Sequence, residues 1–226
     1  MAQALAESIF DALYLTFAIV IGIYLITKGG KGSLVQRFGI MAIVLGAGDS
    51  FHLVPRAISL WTTGLEANAA ALGVGKLITS ITMTIFYLIL YYIWRERYQI
   101  QGRKGLTITM WVLTLTRVAL CAFPQNQWLS YEQPLLWGVL RNIPFAIMGI
   151  LLIVLFAQEA TRANDRVFRF MWLAITLSFL FYIPVVLFAE KIPLIGMLMI
   201  PKTLAYVWVV VMGLSLYRQT KKEQIG

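Results

Sequence analysis

Long apolar runs, each broken by a short cluster of charge, Gly or Pro, recur near residues 8–27, 38–56, 76–94, 105–123, 135–157, 168–189 and 194–217. A bilayer core of roughly 30 Å needs about 20 apolar residues per helix, so each run is long enough to cross with some tilt. The pattern predicts an all-α, polytopic membrane helical bundle of about seven transmembrane helices, one domain over residues 1–226. Between the second and third runs, the segment from Ala57 to Gly75 carries Trp61, Thr62, Thr63, Gly64, Glu66 and Asn68. It is too polar to cross and reads as an interfacial piece with Trp61 at headgroup level. Residues 1–7 lack the basic stretch and small-residue cleavage site of a secretory signal, so the first run is expected to remain as a helix.

Composition agrees with the pattern. Hydrophobic residues make up 60% of the chain and the mean hydropathy is +0.78, against an apolar share of about 45–50% in soluble proteins. Seven spans and their loops take up the 226 residues, so no soluble catalytic or DNA-binding domain is expected among them. Cys121 is the only cysteine and His52 the only histidine, so an intramolecular disulfide is excluded and no His/Cys metal cluster is expected.

The charges orient the bundle. Lys28, Lys31, Arg37, Arg95, Arg97, Arg103, Lys104, Arg162, Arg166, Arg169, Arg218, Lys221 and Lys222 all fall on one side, with only Glu96, Glu159, Asp165 and Glu223 against them. The other side balances Arg56, Lys76, Arg117, Arg141, Lys191 and Lys202 with Glu7, Asp11, Asp49, Glu66, Glu132 and Glu190. The whole net charge of +9 therefore belongs to one side, which is expected to be cytoplasmic, with the N-terminus outside. Read this way it signals topology, and no nucleic-acid partner is expected. The compact loops suggest a cell membrane of the bacterial inner type, with membrane lipids as partners.

The first and last three runs match at nearly one offset. Phe17-Ala18-Ile19 meets Phe145-Ala146-Ile147, Arg37-Phe38 meets Arg169-Phe170, and Lys76 meets Lys202. A parallel 3+1+3 repeat would have halves at 8–94 and 135–217 joined by a linker helix at 105–123. Seven helices in so short a chain, N-terminus outside, resemble the architecture shared by small sugar and PQ-loop transporters and by opsin-like bundles. The third run lacks the acidic residues of a microbial rhodopsin. One histidine cannot supply the paired histidines of zinc-dependent ceramidase-like bundles, although Ser50-Phe51-His52 resembles one of their motifs.

Ionisable residues inside spans cost roughly 2.5–3.5 kcal/mol each on the insertion scale and are the first places to seek function. At 1.5 Å per residue, Asp49, Arg117, Arg141 and Lys202 all lie about 9–12 Å from the outer ends of their helices. Asp11 is shallower, and Asp49, His52 and Arg56 share one helical face. Lys76 lies on one face with Ser80, Met83, Tyr87 and Tyr91, while Tyr182 and Asn142 stand beside Pro184 and Pro144, where freed carbonyls need partners. The expected site is an outward-opening polar pocket of Asp49, His52, Arg117, Arg141, Lys202, Lys76, Asp11 and Tyr182. The alternative is structural pairing of Asp49 with Arg117 or Arg141, and of Asp11 with Lys202. Embedded bases outnumber embedded acids, so a small anionic or amphipathic ligand is expected, with the protein acting as transporter or sensor. Pro144, Pro184 and Pro201 are expected hinges.

Two other chemistries fit the same residues. Lys202 is placed where an opsin-like photoreceptor or pump anchors retinal as a Schiff base, with Tyr206 and Trp208 as walls and Asp49 or Asp11 as counter-ion. His52 set by Asp49 would serve as general base in an intramembrane hydrolase of a lipid-like substrate, with Ser80 or a water as nucleophile. The sequence leaves both enzymatic activity and oligomeric state open.

Overall fold

A computed structural model describes residues 2–189 and 191–225. Its described residues form seven α-helices: α1 (Ala2–Lys28), α2 (Leu34–Trp61), α3 (Ala69–Arg97), α4 (Lys104–Ala122), α5 (Leu135–Arg162), α6 (Met171–Phe188) and α7 (Met199–Ile225). Short 3-10 turns at Pro124–Asn126 and Pro193–Leu198 lead into α5 and α7. Each α-helix is long and apolar enough to cross a membrane. Only helices and closed barrels satisfy every backbone group without water, so apolar runs of this length take the helical solution.

The helices form a ring in chain order. Each packs against its neighbour in sequence, α7 closes on α1, and α2–α7 and α3–α5 contacts fill the middle. Side chains from all seven helices build the core, α3 contributing the most and α4 the least, and the Trp94 indole N–H donates to the Leu155 carbonyl at 3.1 Å, tying α3 to α5. Near mid-depth, Phe86, Tyr87, Phe145, Phe179 and Tyr206 stack edge-on into an aromatic layer. Between α2 and α3 the contact is backbone on backbone. A Cβ on Gly75 would lie 2.1 Å from the Phe51 carbonyl oxygen and 2.8 Å from the His52 Cα, so only glycine lets the helices approach this closely.

The segment expected at the interface is largely helix. α2 continues to Trp61 and α3 begins at Ala69, which leaves seven residues, 62–68, as the connection. A helix satisfies its own backbone bonds on either side of the membrane boundary, so the fall in hydropathy at Ala57 does not end it. Pro55 is absorbed within α2, where its carbonyl accepts the Ser59 hydroxyl at 2.6 Å. Trp61 is half exposed and donates to Ser8 Oγ at 3.0 Å, fastening the end of α2 to α1. Pro201 falls in the first turn of α7, where a missing N–H breaks no helical bond, whereas Pro144 and Pro184 are interior. The chain's Pro124-Gln125 dipeptide opens the 3-10 turn after α4, outside the spans. Glu190 lies outside the described residues.

Candidate functional site

Six helices converge on a buried polar cluster in the half of the bundle that holds the N-terminus. From α2, Asp49 is 8% exposed and accepts the Tyr14 hydroxyl of α1 at 2.7 Å. On α7, Lys202 is 7% exposed, its ammonium 4.9 Å from the centre of the Tyr182 ring and 5.4 Å from that of Tyr206. Asp49 and Lys202 act on each other through space, and among the described residues no direct ion pair within 4.0 Å holds either. Cation–π contact in place of a tight ion pair keeps the amine close to aromatic faces on two helices.

Arg117, on α4, is the most deeply buried charge at 2% exposed. Its guanidinium lies over Phe145, with Cζ 3.5 Å from the ring centre. Nη2 donates a long bond of 3.4 Å to Asn142 Oδ1, which also accepts the Tyr182 hydroxyl at 3.2 Å. Asn142 Nδ2 bonds back to the Gly138 carbonyl at 2.8 Å, so that amide is held with its oxygen toward Arg117. Nε and Nη1 of Arg117 are buried without a hydrogen-bond partner. The Cys121 thiol, one turn along α4, interacts with the guanidinium as a weak acceptor, and no stronger acceptor reaches Nε or Nη1. Beneath the cluster the Tyr87 and Ser178 hydroxyls meet at 3.2 Å within the aromatic layer.

Among the other expected site residues Asp11 is buried, Arg141 half-buried and Lys76 exposed. Arg141 points away from Asp49: its Nη1 donates to Asn126 Oδ1 at 2.9 Å and its guanidinium lies 4.4 Å from the centre of the Trp128 ring. Asn126 donates to the Leu120 and Phe123 carbonyls at 2.7 and 2.9 Å, and Trp128 Nε1 to the Cys121 carbonyl at 2.8 Å. The α4–α5 connection is thereby folded inward, its Trp128 carbonyl seated where a side chain on Gly73 would stand. Asp11 lies in the electrostatic reach of Glu7, Arg56 and Asp49, and Arg56 pairs with Glu7. The contacts assign neither Arg117 nor Arg141 as partner to Asp49, and the structural pairing of Asp11 with Lys202 is replaced by the Glu7–Arg56 group. Lys76 stands exposed at the start of α3, its charge acting on His52.

His52 is part-buried beside the Leu72 backbone, with Nδ1 lacking a hydrogen-bond partner. Asp49 engages Tyr14 directly and Lys202 through space, and the Ser80 hydroxyl donates to the Lys76 carbonyl at 2.8 Å. Among the described residues no hydrogen bond joins Asp49, His52 and Ser80 into a relay. Tyr14, Asn142, Phe145 and Tyr206 complete the cluster around the expected residues. Tyr14 shares a face with Asp11, a weak sequence signal, whereas Phe145 is apolar and carries none.

At the opposite end, Asp165 in the α5–α6 connection accepts from Arg97 Nε and Nη2 at 2.9 and 3.1 Å, from the Tyr98 hydroxyl at 3.1 Å, and from the backbone N–H of Val167 at 2.9 Å and of Phe168 at 3.3 Å. Burial alone would push its carboxyl up, but Arg97 and the two N–H groups hold it below its ordinary value of 3.8. The same burial and the neighbouring Asp165 carboxylate push the Tyr98 phenol up. Comparison with family models, with curated proteins and with solved structures finds no match for the chain.

Proposed function

We propose that this multi-pass membrane protein binds a small anionic or amphipathic molecule at the Asp49, Arg117 and Lys202 cluster and acts as a transporter or sensor. The observation that carries the reading is Arg117, a buried cation with two N–H groups lacking acceptors. Lys202 has the Asp49 carboxylate within electrostatic reach, whereas Arg117 has no ion-pair partner among the described residues, and in a low-dielectric interior an uncompensated charge is costly unless an anion completes it. A carboxylate or phosphate seated against the guanidinium would bring separate oxygens to these N–H groups and balance the Arg117 charge. Asp49, His52, Tyr182 and Lys202 would complete the contacts, with Asp11 buried nearby and Arg141 and Lys76 toward the mouth.

The basic end faces the cytoplasm in this reading, with the N-terminus outside, as the positive-inside rule requires. The ligand then arrives from outside through the α4–α5 connection held by Asn126 and Trp128. The two triplets α1–α2–α3 and α5–α6–α7 run in the same sense around the ring with α4 between them, as a parallel duplication would, and rocking at Pro144 and Pro184 would open the cluster. Cysteines placed at Leu129 and at Gln99 in a Cys121→Ser background report the orientation. In intact cells an impermeant maleimide is expected to label position 129 only.

Native mass spectrometry of the detergent-purified chain tests the binding. An anionic adduct on the wild type, lost in Arg117→Ala, is the expected result. Adduct-free wild-type protein whose thermal response to added carboxylates and phosphates equals that of Arg117→Ala would overturn the reading. The position of Lys202, its amine against two tyrosine faces inside a seven-helix ring, favours a second reading as a retinal Schiff base with Asp49 as counter-ion. Added retinal would then give a red-shifted absorption band absent from Lys202→Ala, and no band would remove that reading.

A further inference from the structure

The basic residues that orient the chain are not all alike. Arg37 pairs with Glu96 at 2.7 Å, Arg103 with Glu159 at 3.8 Å, and Arg95 donates to the Ile100 and Gly102 carbonyls at 3.1 and 2.9 Å. Arg97 is consumed twice, by Asp165 and by Gln219 Oε1 of α7 at 3.0 Å. That pair of contacts ties α3, the α5–α6 connection and α7 into one scaffold, and cancels the Asp165 charge against Arg97. Around the scaffold lies a cleft of about 700 Å³, within the usual size range of small-molecule sites. Arg166 enters it from the α5–α6 connection, and Arg218 and Lys222 from successive turns of α7. Among the described residues none of these three makes a hydrogen bond or ion pair. The adjacent acid, Glu223, accepts from Gln219 Nε2 at 2.9 Å and does not line the cleft.

We infer that this cleft is a binding site for a phosphate ester group, separate from the Arg117 cluster and independent of its function. Three converging cations exceed what one carboxylate can balance, whereas a phosphate carries up to two negative charges and three acceptor oxygens. Arginine supplies planar, paired N–H groups for those oxygens, and lysine a point charge. The cleft opens at the ends of α3, α5 and α7, the depth at which a lipid phosphate would lie, and a soluble phosphate ester presents the same group.

The test uses the full chain in detergent and three probes: glycerol 3-phosphate, dioctanoyl phosphatidate and, as a zwitterionic comparison, dioctanoyl phosphatidylcholine. Binding is read by microscale thermophoresis for the wild type, for the double variant Arg218→Gln, Lys222→Gln, and for Arg162→Gln, an exposed base that does not line the cleft. These side chains hold no partners, so the variants keep the fold. Removing two cleft charges is expected to weaken phosphatidate binding about thirtyfold, at the usual strength of a basic residue near an anionic headgroup, and Arg162→Gln to leave it within twofold. Equal binding of glycerol 3-phosphate would assign the site to a free phosphate ester, and phosphatidate binding alone to a lipid headgroup. Absence of binding by both, a response to phosphatidylcholine equal to that to phosphatidate, or equal weakening by Arg162→Gln would overturn the inference.

Discussion

Replacing Arg117 with methionine separates a binding group from a structural one. The guanidinium contributes a desolvated cation–π contact with Phe145, worth about 2 kcal/mol, and one long bond to Asn142, worth about 1 kcal/mol. Against these stand two buried N–H groups without acceptors, each costing about 1–3 kcal/mol. Methionine restores part of the lost contact, because its thioether packs on an aromatic ring for about 0.3–1.5 kcal/mol. The balance places Arg117→Met near 2 kcal/mol more stable than the ligand-free wild type, roughly 4–8 °C in Tm for a chain of this size. Buried ionic groups replaced by apolar residues of similar volume behave this way, and sites kept for function carry such a cost. The assay is thermal unfolding in detergent followed by tryptophan fluorescence, on protein whose intact mass excludes a retained ligand. A fall in Tm of more than a few degrees would show that Arg117 is a structural anchor and refute the reasoning.

Three further outcomes follow from the geometry. Asp49→Asn strips Lys202 of its counter-charge and should cost about 3–5 kcal/mol, most of it recovered on adding Lys202→Met; single-variant costs that simply add, within about 0.5 kcal/mol, would disprove the coupling. Gly75→Ala puts a methyl group into the Phe51 carbonyl and should cost about 2 kcal/mol or more by forcing α2 and α3 apart, whereas unchanged thermal unfolding would show that the contact is loose. Because the native Asp165 carboxyl lies below 3.8, its contribution to stability is complete above that value and is lost as pH falls below it. Tm measured from pH 7 to pH 3 should therefore drop in acid less for Asp165→Asn than for the wild type, and parallel curves would contradict the Arg97 pairing.

Runs of apolar residues decided the seven spans by themselves, since hydrocarbon offers no partner to a backbone N–H and only a helix of sufficient length satisfies them all. They set element ends less well. Hydropathy falls at Ala57, but helical hydrogen bonding continues to Trp61, because a polar helix is as well satisfied in water as an apolar one is in lipid. Embedded charges were equally legible as candidates, because their cost is paid residue by residue and shows in one chain. Their partners were not. Arg141 and Asn142 are neighbours in sequence but about 100° apart on α5, and the rotation of that helix sends Arg141 to Asn126 and turns Asn142 toward Arg117. Phe145, the ring beneath Arg117, looks like any lipid-facing residue until α4 packs against α5. Arg166, Arg218 and Lys222 read as a tally of positive charge along the sequence, and it is the Arg97–Asp165 tie between helices that gathers them around one cleft. Periodicity and solvation energy are local properties and are written in the chain, whereas the pairing of side chains depends on the rotation and register of packed helices, which only the closed ring determines.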